Sequence, residues 1–213
     1  MTENEAFIYE SIFNQVRMGF LSLDEIQENI IEEIQDNEFE DEISEEWAFD
    51  KIREEYQKVL AESKQWKSPT DTEKLIKAFD ALCDDNIFAL HNAGYTTSEG
   101  EYEVVEVERE LQENEVESDG YCFYHGQDLE RAVAIENPGL FIAFQKVDNT
   151  DDETTIEVGK RVAEVLINND FVIKWNGSAT TKIEIPGFRW QKIFDEDARD
   201  LQDYSEVVDR MVQ

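Results

Sequence analysis

The sequence predicts an α/β fold: a mixed, mostly parallel sheet of about five strands with flanking helices and a C-terminal Asn-Gly hairpin, preceded by an N-terminal helical subdomain. Three observations support this. Residues 1–68 place apolar side chains at helical spacing. From residue 87, short apolar and aromatic runs alternate with helical stretches, as in a sheet with crossover helices. Asn176-Gly177 then separates Trp175 from Lys182–Ile185. Both turn residues tolerate positive φ, so the pair marks a hairpin and an antiparallel last strand.

The elements follow in order. Ile8, Ile12 and Val16, with Phe13 and Phe20 beside them, form the stripe of a first helix that Gly19 ends. Ser22 and Glu25 have capping-box spacing and open a second helix, on which Leu23, Ile26, Ile30 and Ile34 share a face. A loop near Asn37 leads to a third helix, capped by Ser44, with Phe49, Ile52, Tyr56 and Val59 inward. Pro69 closes this section. Thr70 and Glu73 begin a fourth helix bearing Leu75, Ile76, Phe79 and Leu82. Strands are expected at 87–90, 121–124, 140–144 and 171–175, with helices at 102–111, 127–134 and 155–167 between them. Each helical crossover should leave its two strands parallel. The expected boundaries are an acidic helical subdomain over 1–68, an α/β domain over 69–194 and an acidic tail or helix over 195–213.

Composition limits the function. The 213 residues hold 19 Lys and Arg against 52 Asp and Glu, a formal charge of −33. A groove that binds nucleic acid by neutralising phosphates is therefore excluded as an expectation. Cys83 and Cys122 are too few for a disulfide framework or a cysteine-based zinc site, and each is read as core packing. The start lacks the pattern of a signal peptide, and no apolar run reaches the ~20 residues that span a bilayer. The expected location is the cytoplasm, with no membrane contact.

Motifs of known chemistry are missing. The chain has no phosphate-binding Gly-rich loop ending in Lys-Ser or Lys-Thr, no GxGxxG, no nucleophile elbow and no HExxH. The acidic run 148–157 has Glu153 where a calcium-binding loop requires glycine. No catalytic residue, cofactor or metal is assigned, and an enzyme is the less favoured reading. The segment Tyr121–Arg131 is the most informative, because it reads as a buried strand that stops at a polar turn and enters a helix. Ligands of parallel sheets bind beyond the carboxyl ends of strands. A candidate pocket there comprises His91, Asn92, Tyr95, His125, Gln127, Asp128 and Asn176, with Gln145 and Lys146 on the same edge. Histidine can move protons near neutral pH and aspartate can orient it. The structural alternative makes Asp128 a helix N-cap and gives His125 a backbone carbonyl partner.

Acidic residues are clustered. Residues 24–55 hold 15 of them against Lys51 and Arg53, and residues 99–119 hold 10 against Arg109. Glu101, Glu108 and Glu115 recur every seven residues, a candidate carboxylate ridge for a partner. Like charges at helical spacing cost about 0.2–0.5 kcal/mol per pair, which a surface built to meet cations tolerates.

Residues 90–96 (Leu-His-Asn-Ala-Gly-Tyr-Thr), 120–133 (Gly-Tyr-Cys-Phe-Tyr-His-Gly-Gln-Asp-Leu-Glu-Arg-Ala-Val), Trp175-Asn176-Gly177 and Trp190-Gln191 resemble a bacterial family of domain-of-unknown-function proteins. The resemblance covers about residues 71–193 and leaves the N-terminal helices and the tail after Phe194 outside. It implies a bacterial cytoplasmic protein and no catalytic residue. Three functions are consistent with these readings. First comes an acidic module that binds a basic protein, as an inhibitor or immunity protein does. Second is a small-molecule enzyme or sensor with its pocket around His125 and Asp128, and third a non-catalytic accessory domain. None fixes an oligomeric state.

Overall fold

The computed structural model describes residues 1–213, which form eight helices and four strands in two compact units. The first unit is Met1–Thr70 with Trp190–Ala198. Its helices are α1 (Glu3–Met18), α2 (Leu23–Asp36) and α3 (Glu45–Ser63). Ser22 and Glu25 form the full reciprocal capping box of α2, and Ser44 caps α3 through the Trp47 amide. Ile8, Ile12, Ile26, Ile30, Ile34, Ile52 and Val59 make the core of this unit. Burying one such side chain contributes about 1.5–3 kcal/mol. Among these apolar residues Glu55 is also buried, and its carboxylate accepts from Arg17 (2.7 Å), Lys58 (2.8 Å) and the Tyr9 hydroxyl (3.0 Å). Trp190 stacks on Phe20 and its indole N–H donates to the Met18 carbonyl.

The second unit is Asp71–Arg189 with Arg199–Gln213. It contains α4 (Asp71–Asp84), β1 (Ile87–Leu90), α5 (Thr97–Glu113), β2 (Gly120–Phe123), α6 (Gly126–Val133), β3 (Gly139–Gln145), α7 (Asp152–Asn168), β4 (Ile183–Pro186) and α8 (Ser205–Val212). The sheet order is β1-β2-β3-β4. β1 and β2 are parallel through the α5 crossover, whereas β2–β3 and β3–β4 are antiparallel. The sheet is thus α/β and mixed, but it has four strands and only one parallel pair.

Two expectations are corrected. The segment after β2 returns the chain to the end it left: Phe123 pairs with Ala143, and Gly139 to Ile142 run past β2 to pair with β4. The eight residues of α6 span about 12 Å and do not carry the chain back to the start of β2. Residues 171–175 are not a strand; they contribute only the Lys174–Glu184 bridge. Phe171 instead closes α7. Its amide donates to the Leu166 carbonyl and that of Asp170 to Ile167, with Asp170 at φ 65°. This is the Schellman ending, whose apolar residue after the left-handed position packs back on the helix. Phe39 ends α2 and Val116 ends α5 in the same way, with Glu38 and Glu115 at positive φ.

The helices cover both faces. A Cβ on Gly100 of α5 would fall 2.7 Å from the Ala93 carbonyl and meet the Phe123 ring, and one on Gly159 of α7 would fall 2.5 Å from the Phe144 ring. Phe144 pairs with Cys122, so it shares a face with Cys122 and not with Phe123. α5 therefore packs against one side of the sheet and α7 against the other. No helix is long and apolar enough to cross a membrane.

Candidate functional site

Because β1 and β2 are parallel, the loops that follow them leave the same edge and join. The Ala93 amide donates to the Tyr124 carbonyl (2.9 Å), that of Gly126 to Gly94 (2.9 Å) and that of Gln127 to Tyr95 (3.1 Å). The Tyr95 ring lies over Gly126, where a Cβ would come within 2.7 Å of it. This contact accounts for Gly126 and for the ring of Tyr95 in these two stretches.

The two histidines have separate partners. His91 is buried against Phe79, with ring centroids 4.6 Å apart, and its Nδ1 lies 3.2 Å from the Tyr124 hydroxyl. Burial, reinforced by the Arg199 charge, pushes its pKa down to about 3. His91 is thus a neutral core residue, whose carbonyl accepts the Tyr204 hydroxyl. His125, not Asp128, is the N-cap of α6, its Nδ1 accepting from the Asp128 amide at 3.3 Å. Its Nε2 faces Thr97 Oγ1 (3.0 Å), Asp128 Oδ2 (3.1 Å) and Lys182 Nζ (2.7 Å).

Asp128 is 1 % exposed and holds two cations, Lys182 on Oδ2 (2.7 Å) and Arg131 on Oδ1 (3.0 Å). Burial pushes the His125 pKa down; the Asp128 charge opposes this, and Lys182 and Arg131 add to it. The geometry gives the same sign. A neutral imidazole has one acceptor nitrogen, for which the Asp128 amide and the Lys182 ammonium compete, and protonation would remove it.

Nucleophile–base–acid relays place the hydroxyl and the carboxylate on opposite nitrogens of the ring. Here Thr97 and Asp128 meet the same one, Nε2, so the cluster does not have the relay arrangement. No group of three or more His, Cys, Asp or Glu side chains is placed to hold a metal. Within the acidic run 148–157, Asp151 caps α7 through the amides of Glu153 and Thr154.

The remaining expected pocket residues are dispersed. Asn92 sits at φ 49°, its Oδ1 buried without a hydrogen bond. Tyr95 is exposed and donates to Glu130. Gln127 is half-buried, and Asn176 closes its own turn by accepting from Ser178 and Thr181. Gln145 and Lys146 lie at the opposite end of β2, because β3 runs antiparallel to it, although Gln145 lines the cleft that opens beside His125.

Lys182 is the residue that sequence reasoning missed. Its signal is a cation beside the apolar run Ile183–Ile185 in a chain where carboxylates outnumber cations by more than two to one. Beside the cluster a cleft of about 240 Å³ opens over the sheet face that α5 covers, with Thr97 and Lys182, two of the partners of His125, in its wall.

The carboxylate ridge expected at 101–115 is not continuous. Glu101 lines the cleft, and Glu108 is buried, accepting from the Ser118 hydroxyl at 2.6 Å. Glu115 lies past the end of α5 in the left-handed turn. Glu99, Glu101, Glu110, Glu113, Glu115 and Glu117 remain exposed, and a second acidic surface lies on the helical unit. Asp24, Glu25, Glu28, Glu32 and Asp36 of α2, then Glu38, Glu40, Asp41 and Glu42, are all exposed. No Lys, Arg or His stands between Arg17 and Lys51. Arg17, moreover, is engaged by Glu55 and Glu62.

The family model described as Domain of unknown function (DUF6891) matches residues 1–194. The chain belongs to this family. Its span includes the acidic helices α1–α3, which the sequence resemblance had left outside, and ends before residues 195–213. No curated protein and no solved structure matches the chain.

Proposed function

We propose that this DUF6891 protein is a binding module that occupies a basic protein, in the manner of an inhibitor or immunity protein, through α2 and the loop to α3. One observation supports this reading above the others: nine exposed carboxylates from Asp24 to Glu42 with no cation among them and none in an ion pair. Where charge serves solubility alone, Glu and Lys four residues apart on the exposed face stabilise the helix. α2 has none of these pairs. A uniform carboxylate face accelerates encounter with a basic surface, and this gain falls with ionic strength.

The test is affinity capture from nuclease-treated host extract, followed by titration of the purified partner against wild type and a variant carrying Glu28→Lys, Glu32→Lys, Asp36→Lys and Asp41→Lys. All four positions are exposed, so the helices should persist. One basic protein bound stoichiometrically, released by moderate salt and lost in the variant supports the reading. Binding that survives the four reversals, or no basic partner at all, overturns it.

A further inference from the structure

We propose that the cleft beside His125 binds a small zwitterion, a free α-amino acid with a short side chain, through Lys182 and Thr97 at one end and Glu101 at the other. The site lies wholly in the sheet unit and is independent of the acidic surface of α2.

The volume sets the size. About 240 Å³ is below the roughly 300–1,000 Å³ of sites for drug-sized ligands and suits a compact metabolite. Tyr121, Phe123 and Ala143 supply an apolar floor, the two rings stacked 6.1 Å apart. Hydroxyl and charged groups stand around it.

The charges select the class. An ammonium has three hydrogens. One of those on Lys182 goes to Asp128 Oδ2 (2.7 Å) and a second contends with the Asp128 amide for the one acceptor nitrogen of His125, so at least one remains for the cleft that Lys182 lines. Lys182 shares the one buried carboxylate of Asp128 with Arg131, so the ammonium that faces the cleft is not fully neutralised and can take an anionic group. Buried Asp128 and His125 fix the ammonium before any ligand arrives, which lowers the ordering cost of binding.

Glu101 excludes a plain anion. It stands one helical turn beyond Thr97 on α5, about 5–6 Å along the same face, and lines the same cleft. Its charge also raises the pKa of the Tyr121 phenol, after burial, so the carboxylate acts on the cleft floor. A ligand with a carboxylate for Lys182 and Thr97 and an ammonium for Glu101 satisfies both ends. An α-amino acid has this layout, and the small volume favours glycine, alanine or serine over tryptophan.

The test uses the intact chain. Each standard L-amino acid, with propionate, butylamine and inorganic phosphate as single-charge probes, is screened by thermal shift and measured by titration calorimetry. Expected are one-to-one binding of a small amino acid, little binding of the single-charge probes, and at least tenfold weaker binding in Glu101→Gln and in Thr97→Val. Both residues are exposed, so these variants should fold. Lys182→Met should abolish binding where it folds, but the proposal does not depend on that variant. Three results overturn it: no amino acid binding to wild type, equal binding to Glu101→Gln, or propionate or phosphate binding as tightly as the amino acid.

Discussion

His91 gives the sharpest quantitative expectation. Its imidazole titrates near 6.5 when free in an unfolded chain and at about 3 in the fold, because it is buried on Phe79 with the Arg199 charge nearby. The folded value is depressed, so the unfolded state takes up the proton first. The stability contributed by neutral His91 is therefore complete above pH 6.5 and is lost as pH falls towards 3. At ~1.4 kcal/mol per pH unit, the whole loss is about 5 kcal/mol, of which about 2 kcal/mol appears by pH 5. Stopping there keeps the protein above its sequence pI of about 4.1, where solubility falls. Carboxylates also titrate in this range, so the measurement has to be a difference. His91→Phe keeps a planar ring on Phe79 and removes the proton site. Urea unfolding by circular dichroism at half-unit pH steps from 7 to 5 gives both curves, and wild type should lose about 2 kcal/mol relative to the variant. Parallel curves would falsify the account of His91 as a buried neutral base.

Three further expectations follow from single features. Glu55→Gln removes the buried carboxylate that pairs with Arg17 and Lys58 and should cost about 3 kcal/mol in chemical denaturation, since breaking a buried pair strands its partner; a cost below that of an exposed substitution would show the network to be incidental. Asp170→Gly relieves a left-handed position in the Schellman ending of α7 and should raise stability by up to about 1 kcal/mol, against a loss if the carboxylate has a hidden partner. Cys83 is buried with its thiol pushed up to about 11, and Cys122 is raised well above its ordinary value, so both should resist a disulfide reagent at neutral pH and react together on unfolding. Fast labelling of either in the native protein would contradict that burial.

The periodicity that places Ile26, Ile30 and Ile34 on one face made α2 legible, as did its capping box. Such signals are local, and the chain honours them. The direction of β3 was not legible. An apolar run reads the same whichever way it is laid, and only the place where the chain re-enters the sheet decides. Phe171 misled for a related reason: an isolated aromatic after a helix can begin a strand or close a Schellman turn, and Asp170 at the left-handed position, where glycine is usual, hid the turn. At the candidate site, His125 and Asp128 were found because they adjoin in sequence, but Lys182 lies 54 residues away and reaches them only through the sheet. His91 was grouped with them by edge position; its packing on Phe79 could not be read from the pattern.

The placement of cations follows the same rule within each unit. In the helical unit Arg17 and Lys58 serve Glu55, and in the sheet unit Arg131 and Lys182 serve Asp128, Arg161 joins Asp85 to Asp119, and Arg199 and Arg210 share Asp80. Many cations therefore hold carboxylates that are buried or distant in sequence, which leaves α2 and its following loop uncompensated. Salt should then act in opposite senses on two observables. Screening of the mutual repulsion along α2, effective beyond a Debye length of ~10 Å at 0.1 M, should stabilise the helical unit, while the same screening weakens capture of a basic partner. Added chloride that leaves the unfolding midpoint of the helices unchanged would mean that the carboxylates do not repel appreciably in the folded state. Their lack of cations would then say little about a partner. A rise in the midpoint, with a matching loss of partner affinity, ties both effects to one surface.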